Sequence, residues 1–374
     1  MPHFDIIKQA SPVESFRVKS VMGHYDLQQS NTTEHFVGDI DLPDSWNIGL
    51  IVGRSGTGKT TIARELFGDC IVSGYEWTHD NILDDMPKGV SVTDITKTLT
   101  SVGFSSPPSW MKSFDVLSNG EKMRCEIARA ILENHEMFVF DEFTSVVDRN
   151  VAQISSFAIQ KAIRKRNKKF IAVTCHYDVQ NWLMPDWVFN TDDMKFQCID
   201  VETQKKNRPE LQIDIYETKH KDYFWNIFKK YHYLSHSFNK AARVFVATCN
   251  GELCAFCAAL PFPHPTKKNT WRGHRTVVFP DYQGVGIGSA FTDYIGQMFK
   301  DCGKKYISTT SNPAMIVSRS RSPKWVTTRI GRASLGSNNG IIHNKHIKGS
   351  TSSARITCSF EYIGENNNGA RNKI

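Results

Sequence analysis

Apolar residues recur along the first half of the chain in short runs of strand type, each followed by a stretch with helical spacing. Residues 46–52 (WNIGLIV) form the first such run and lead directly into a glycine-rich stretch at 53–60, after which 61–67 reads as a helix. Further strand-like runs fall at 70–73, 137–140 and 169–174, separated by helical stretches at 121–133 and 151–166. Strands that alternate with helices predict a parallel sheet with crossovers. Between 200 and 210 (DVETQKKNRPE) charged and polar residues surround a proline and no apolar period survives, so a second fold is expected to begin there. Residues 211–218 alternate as a strand and 223–231 fit a helix, while 242–248 and 253–260 flank Asn250-Gly251 as a hairpin. A strand at 274–279 then enters a glycine-rich turn and a helix over 289–300, followed by a strand at 305–310. The stretch 334–351 is rich in Gly, Ser and Asn, 354–362 reads as a last strand, and 364–374 as a loose tail.

A length of 374 residues exceeds what one hydrophobic core usually serves, and 40% hydrophobic with 22% charged residues is ordinary for a globular protein. No run approaches the roughly 18 to 20 apolar residues of a membrane span, and the first residues lack the order of a signal peptide, so a cytoplasmic protein is expected. Nine scattered cysteines fit reduced thiols, and Cys254 and Cys257, inside an apolar run, read better as core packing than as half of a zinc site. Charge changes the picture more. Of the 46 Lys+Arg and 38 Asp+Glu, 26 and 10 fall after residue 204, which leaves the first part acidic and the second strongly basic. That asymmetry points to a polyanionic partner for the C-terminal part, the plainer reading being a soluble basic domain.

Residues 53–60, GRSGTGKT, follow a strand and open a helix, the context in which this spacing makes a phosphate-binding loop. Gly53, Ser55, Gly56 and Gly58 let backbone amides face phosphate oxygens, Lys59 reaches the outer phosphates, and Thr60, beside Thr61, holds Mg²⁺. The run 137–140 delivers Asp141 to the same ion and Glu142 to a catalytic water. Leu117-Ser118-Asn119-Gly120-Glu121 ahead of that strand, Ser145-Val-Val-Asp148 after it, and Thr174-Cys-His176 at the end of a further strand resemble the signature, D-loop and switch histidine of the ABC ATPases. The resemblance spans roughly residues 20–195. It implies that Tyr25 stacks on adenine, with Phe36 or Phe16 as substitutes, that Ser118 and Gly120 close over a nucleotide held by a second copy, and that His176 assists catalysis. A homodimer follows from the single motif set. No glutamine lies between 61 and 116, so the family's Q-loop residue is replaced, by Glu76 or Asp80.

In the second part, His274-Arg-Thr-Val-Val-Phe-Pro280 followed by Gln283-Gly284-Val285-Gly286-Ile287-Gly288 resembles the GNAT acyltransferases, over about 211–363. The resemblance implies that the glycine loop binds the pyrophosphate of acetyl-CoA and that amides near Val277 and Val278 polarise the thioester carbonyl. His274, Ser311 and Asn312 are candidates for proton transfer, and His274 has the plainer role of a satisfied strand histidine. Tyr231-His-Tyr-Leu-Ser-His236 with Asn239-Lys240 falls where such domains build the acceptor side. Arg319, Arg321, Lys324, Trp325, Arg329 and Arg332 suit phosphate contacts with base stacking, or else a solvated basic face with Trp325 in the core.

The expected fold class is therefore α/β: a P-loop ABC ATPase domain with a parallel-sheet core and a small helical subdomain over 1–200, a linker at 201–210, an α+β GNAT domain over 211–363 and a tail at 364–374. The function these expectations favour is an ATP-dependent N-acyltransferase of DNA or RNA bases, using ATP, Mg²⁺ and acetyl-CoA, similar at fold level to phage Mom-like DNA-modification proteins. Two alternatives stand beside it: a protein or small-molecule N-acetyltransferase regulated by ATP, and a non-catalytic ABC clamp or sensor in DNA repair or phage defence.

Overall fold

The computed structural model describes residues 3–10, 15–26, 32–72, 74–200, 210–232, 237–263, 268–332 and 356–364. The linker at 201–209, the Gly/Ser/Asn-rich stretch 334–351 and most of the tail lie outside the described residues, as do 233–236 of the acceptor-side motif. Contacts divide the chain into two compact units, one of residues 1–76 with 126–209, the other of 77–125 with 210–374. The second division lies between Pro209 and Glu210. The stretch 77–125, expected with the ATPase domain as its helical subdomain, packs with the C-terminal residues instead.

The first unit opens with an antiparallel pair, β1 (His3–Ala10) and β2 (Thr32–Asp39), with α1 (Phe16–His24) between them in sequence. Its main sheet contains β3 (Ile48–Val52), β4 (Ile71–Val72), β5 (Met137–Phe140), β6 (Lys169–Thr174), β7 (Trp187–Asn190) and β8 (Lys195–Cys198) in the order β4-β5-β6-β3-β7-β8. All neighbours are parallel except β7 and β8. β3 is buried at all five positions, which is why it reads as a continuous apolar run rather than an alternating one. The buried carboxylate of Asp186 fixes its start, accepting from the Asn47 and Ile48 amides at 2.8 and 2.9 Å and pairing with Arg164 at 2.9 Å. α2 (Lys59–Phe67), α6 (Arg149–Arg166) and α7 (Val179–Leu183) follow strands of this sheet. Phe4, Phe36, Ile51, Ile62, Val173, Trp187 and Phe189 belong to one core cluster.

In the second unit, residues 77–125 contribute α3 (Val92–Ser101), α4 (Pro107–Trp110) and the first turns of α5 (Asn119–Leu132), which crosses from one unit to the other between Cys125 and Glu126. A seven-stranded sheet runs β14-β15-β13-β12-β11-β10-β9, built from β9 (Ile213–Thr218), β10 (Arg243–Cys249), β11 (Glu252–Pro261), β12 (Thr270–Val278), β13 (Lys305–Thr310), β14 (Trp325–Arg332) and β15 (Ile356–Tyr362). α8 (Lys221–Phe228), α9 (Ile287–Asp301) and α10 (Pro313–Arg321) complete it. The predicted hairpin forms: Asn250 and Gly251 both take positive φ, as a two-residue turn of this twist requires. Cys254 and Cys257, both buried, are three residues apart on β11 and so project to opposite faces, which prevents them from sharing a metal. Among the described residues no helix is long and apolar enough to cross a membrane.

Candidate functional site

Four parallel strands of the first unit, β5, β6, β3 and β7, are neighbours, and the loops leaving the first three carry residues 141–148, 175–178 and 53–58. After β3 the loop turns through Gly56 (φ +85°) and Gly58 (φ +82°), and Gly58 caps α2 without any side-chain bond, so the first amides of the helix point outward. A side chain at Gly58 would collide with Phe36, whose ring lies 2.6 Å from where a Cβ would sit. Phe36 thus supports the loop from the core. Lys59, 8% exposed, donates its ammonium to the Arg54 carbonyl at 2.7 Å, which suspends the charge above the loop. Ser55 is exposed, while Thr60 and Thr61 are half-buried at the helix start.

A collar that the sequence reading missed closes the other side. The Thr57 and Thr191 hydroxyls meet at 2.5 Å, and the Asp192 carboxylate accepts from the Arg54 amide at 3.0 Å and from the Tyr177 hydroxyl. The Asp192 carboxyl is held below its ordinary range, mainly by Tyr177 and then by the Arg54 amide. No local motif marks these residues; only the adjacency of β7 to β3 brings them in.

Beyond β5, Asp141 accepts from the Glu142 amide at 2.9 Å, and Glu142, at φ +54°, accepts from the Ser145 hydroxyl at 2.6 Å. Thr144 also has positive φ (+66°), an uncommon conformation for a β-branched residue, so this turn is held under strain. The Phe143 amide bonds the Val173 carbonyl at 2.8 Å and thereby ties the turn to β6. His176 follows β6. Burial first, then the nearby Arg149, depress its pKa, while the charges of Asp178 and Glu142 oppose the shift. The shift favours the neutral form of the imidazole. Asp148 caps α6, accepting from the Val151 amide at 3.0 Å. Tyr25 is not brought to this cluster by the contacts described for it: it is 69% exposed, capping α1 and packing edge-on against His24. Phe16 is also exposed, and Phe36 is committed to the core beneath Gly58.

Ser118 and Glu121 form a reciprocal capping box at the head of α5: the Ser118 amide donates to the carboxylate at 3.1 Å and the Glu121 amide to the hydroxyl at 3.3 Å. Ser118 is exposed and Gly120 buried. Of the two candidates for the missing glutamine, Asp80 is exposed, and the backbone carbonyl of Glu76 accepts from Arg129 at 2.8 Å.

In the second unit β12 pairs with β13 only over Thr270–Lys305, Trp271–Tyr306 and Arg272–Ile307, then leaves it while staying bonded to β11 as far as Val278. The Phe279 amide donates to the Cys254 carbonyl at 2.9 Å, so by alternation the Val277 amide also faces β11 and the Val278 amide faces the opening. Of the two amides expected to polarise a carbonyl, Val278 is the one so directed. A 3-10 turn (Pro280–Tyr282) leads into Gly284 (φ +86°) and Gly286 (φ +97°), and Gly286 caps α9 with no side-chain bond and open space around it. The first amides to bond back are those of Ser289 and Ala290, both to the Gly286 carbonyl, which leaves the amides of Ile287 and Gly288 directed out of the helix end. Val285 is half-buried and Ile287 fully buried. Gln283 does not turn its side chain outward: its nitrogen donates to the Val278 carbonyl at 2.9 Å and its oxygen accepts from the Ser105 amide at 3.0 Å.

The proton-transfer candidates fare unequally. His274 accepts from the Asn239 amide through Nε2 at 3.3 Å, and burial first, then Arg275 and Arg272, push its pKa down to about 4. It stays uncharged near neutral pH and holds a proton weakly. Asn312 caps α10, its side-chain oxygen accepting from the Met315 amide at 3.2 Å. Ser311 is half-buried beside it. The basic run is also divided. Arg319 (3% exposed) and Trp325 (1%) lie in the core, with the guanidinium 4.4 Å from the indole centroid and bonded to the Ser308 hydroxyl at 2.8 Å, and the indole nitrogen on Asp293 at 2.6 Å. Neither can present its charge or ring to a nucleic acid. Arg321 and Arg329 are exposed and Lys324 is half-buried, 4.0 Å from Asp293.

Residues 205–316 match the model of the Acetyltransferase (GNAT) family. Among solved structures the chain is similar to the ribosomal-protein-S18-alanine N-acetyltransferase from Escherichia coli, at 14% identity with a TM-score of 0.31, over 42% of this chain and 99% of that one. It is similar to a Bacillus subtilis acetyltransferase in complex with CoA, at 13% identity and 0.31, over 42% and 100%. It is also similar to the dimeric ATP-binding cassette MJ0796 bound to ADP and Pi, at 14% identity and 0.38, over 53% and 98%. The findings together give a mixed α/β chain with a GNAT acetyltransferase segment at 205–316 and a six-stranded, mostly parallel sheet ahead of it.

Proposed function

We propose that this protein is an ATP-gated N-acyltransferase in which an ABC-type dimer controls transfer of an acetyl group to an amino group carried by a polyanion, DNA or RNA. The observation that carries the transferase reading is β12, which parts from β13 after Arg272 and runs into the glycine-opened end of α9. Gly286 has room for a phosphate and the amides of Ile287 and Gly288 face it, so the loop 284–288 fits a diphosphate. Acetyl-CoA, when bound, supplies the activated acyl group. Val278 offers its amide to a developing oxyanion at the mouth of the opening. His274, neutral above about pH 4, suits an acceptor that already arrives uncharged, as the exocyclic amines of nucleobases do, better than a lysine ammonium that must first lose a proton.

In the first unit the positive-φ glycines and the suspended Lys59 ammonium fit a triphosphate, and Thr60 with Asp141 would hold Mg²⁺. Glu142 and His176, whose pKa burial lowers, would orient the attacking water. The exposed Ser118 would close on the nucleotide of a second copy. The excess of basic residues after 204, with Arg321, Lys324 and Arg329 outside the core, supports a polyanionic acceptor.

Purified protein supplied with radiolabelled acetyl-CoA, ATP and Mg²⁺ is to be offered DNA, RNA, protein and polyamine in parallel. Label should enter the nucleic acid and be recovered as an acetylated nucleoside. Label confined to protein or polyamine overturns the acceptor assignment, and no label in any of them overturns the transferase reading.

A further inference from the structure

Arg124 is a cation buried almost completely, 1% exposed, in the second turn of α5, directly after the signature residues 117–121. Its Nη2 donates to the Asp281 carboxylate at 2.8 Å. Asp281 belongs to the 3-10 turn between β12 and the glycine loop, 157 residues further along the chain. A guanidinium withdrawn from water is tolerated where its hydrogen bonds and charge are answered, so this pair holds only while the α5 turn and the loop keep their present places. A second link runs beside it. Gln283, the first residue of the loop, bonds Val278 of β12 with one end of its amide and the Ser105 backbone with the other. Ser105 is itself held in a fixed edge: Phe104 beside it is fully buried, and the Phe104 carbonyl accepts from the Trp110 indole at 2.9 Å. Two segments of the 77–125 stretch, at Ser105 and Arg124, thus hold Gln283 and Asp281, which lie between β12 and the start of α9.

We propose that Arg124 and Ser105 are positioning residues for the acyl-CoA loop, and that nucleotide at the signature and acyl-CoA at the loop bind with positive linkage. The inference rests on the ATP and acyl-CoA reading given above. Closure of a nucleotide on Ser118 fixes the capping turn Ser118–Glu121 at the head of α5, one helical turn before Arg124, and so holds Arg124 on Asp281. A loop already ordered costs acyl-CoA less to bind. By reciprocity acetyl-CoA must tighten ATP binding by the same factor.

The test is calorimetric titration of acetyl-CoA into the full chain carrying Glu142→Gln, which retards ATP turnover, with and without MgATP. The expected result is a Kd lowered at least about fivefold by MgATP, the lower end of ordinary coupling between sites. In Arg124→Met that factor should fall to about one while acetyl-CoA still binds. If Arg124→Met does not fold, Ser105→Pro, which removes the amide donated to Gln283 and also fixes φ at 105, should reduce the factor, and the exchange Arg124→Asp with Asp281→Arg should restore part of it. An acetyl-CoA Kd that is measurable but identical with and without MgATP overturns the linkage and leaves the proposed function standing. No acetyl-CoA binding in any sample overturns the reading on which both rest.

Discussion

Gly286 illustrates how much chemistry rests on one backbone angle. At φ +97° it starts α9 and leaves its amides unshared, and any side chain there is strained by about 1–2 kcal/mol and projects into the space a phosphate needs. Gly286→Val should therefore lower acetyl-CoA affinity by at least tenfold in calorimetry while reducing thermal stability only modestly. Lys59 is the counterpart in the first unit. Lys59→Ala removes the suspended charge and should cut ATP hydrolysis at least a hundredfold, as read by phosphate release. His274 carries a pH signature. Its pKa lies near 4 in the folded protein against an ordinary value of 6.5, so between those limits the unfolded chain binds the extra proton. Stability is full above about pH 6.5 and falls as pH drops toward 4. A His274→Gln variant should flatten that part of the Tm-against-pH curve, and a curve of unchanged slope would show that the group titrates normally.

At the scale of elements, periodicity announced most strands of both sheets but was silent about what covers them. The run 319–332 reads as a basic stretch, yet it folds as the end of α10 and β14, and α10 turns Arg319 inward across Trp325. A helix with few apolar residues offers no stripe from which its buried face could be read, so the burial of a single arginine there depends on Trp325, Ser308 and Phe360 supplied by other strands. Loss of Trp325 should therefore be a folding defect: Trp325→Ala is expected to cost about 3–5 kcal/mol in denaturant titration. Arg321→Ala and Arg329→Ala should leave stability nearly unchanged and each reduce the salt dependence of the proposed nucleic-acid binding by about one unit of slope. An equal loss of stability in all three would place Arg321 and Arg329 in the core as well. Asn312 teaches the same lesson in reverse, since a residue that looks reactive from its place after β13 is occupied as a helix cap.

For the whole molecule, the proposed dimer gives a direct expectation. With Glu142→Gln and MgATP the chain should elute at twice its mass of 42.5 kDa in light scattering, and return to the monomer when Lys59→Ala is added. The glycine turn after β3, the Asp141-Glu142 turn and the loop 284–288 were all legible in the sequence as turns, because a glycine that must take positive φ and a strand that must end before a helix are local demands, satisfied by residues a few positions apart. The amino-acid order by itself therefore determined where two amide-lined turns would form and which elements would lead into them. Only the tertiary structure decided which polar residues those turns would meet. Asp192 reaches Arg54 across 138 positions, and Arg124 finds Asp281 across 157, because neighbouring strands and packed helices bring together groups whose separation along the chain carries no trace of the contact. The assignment of 77–125 to the unit of the second sheet has the same origin: the faces of α3 and α5 announce that they must be covered, and packing chooses by what.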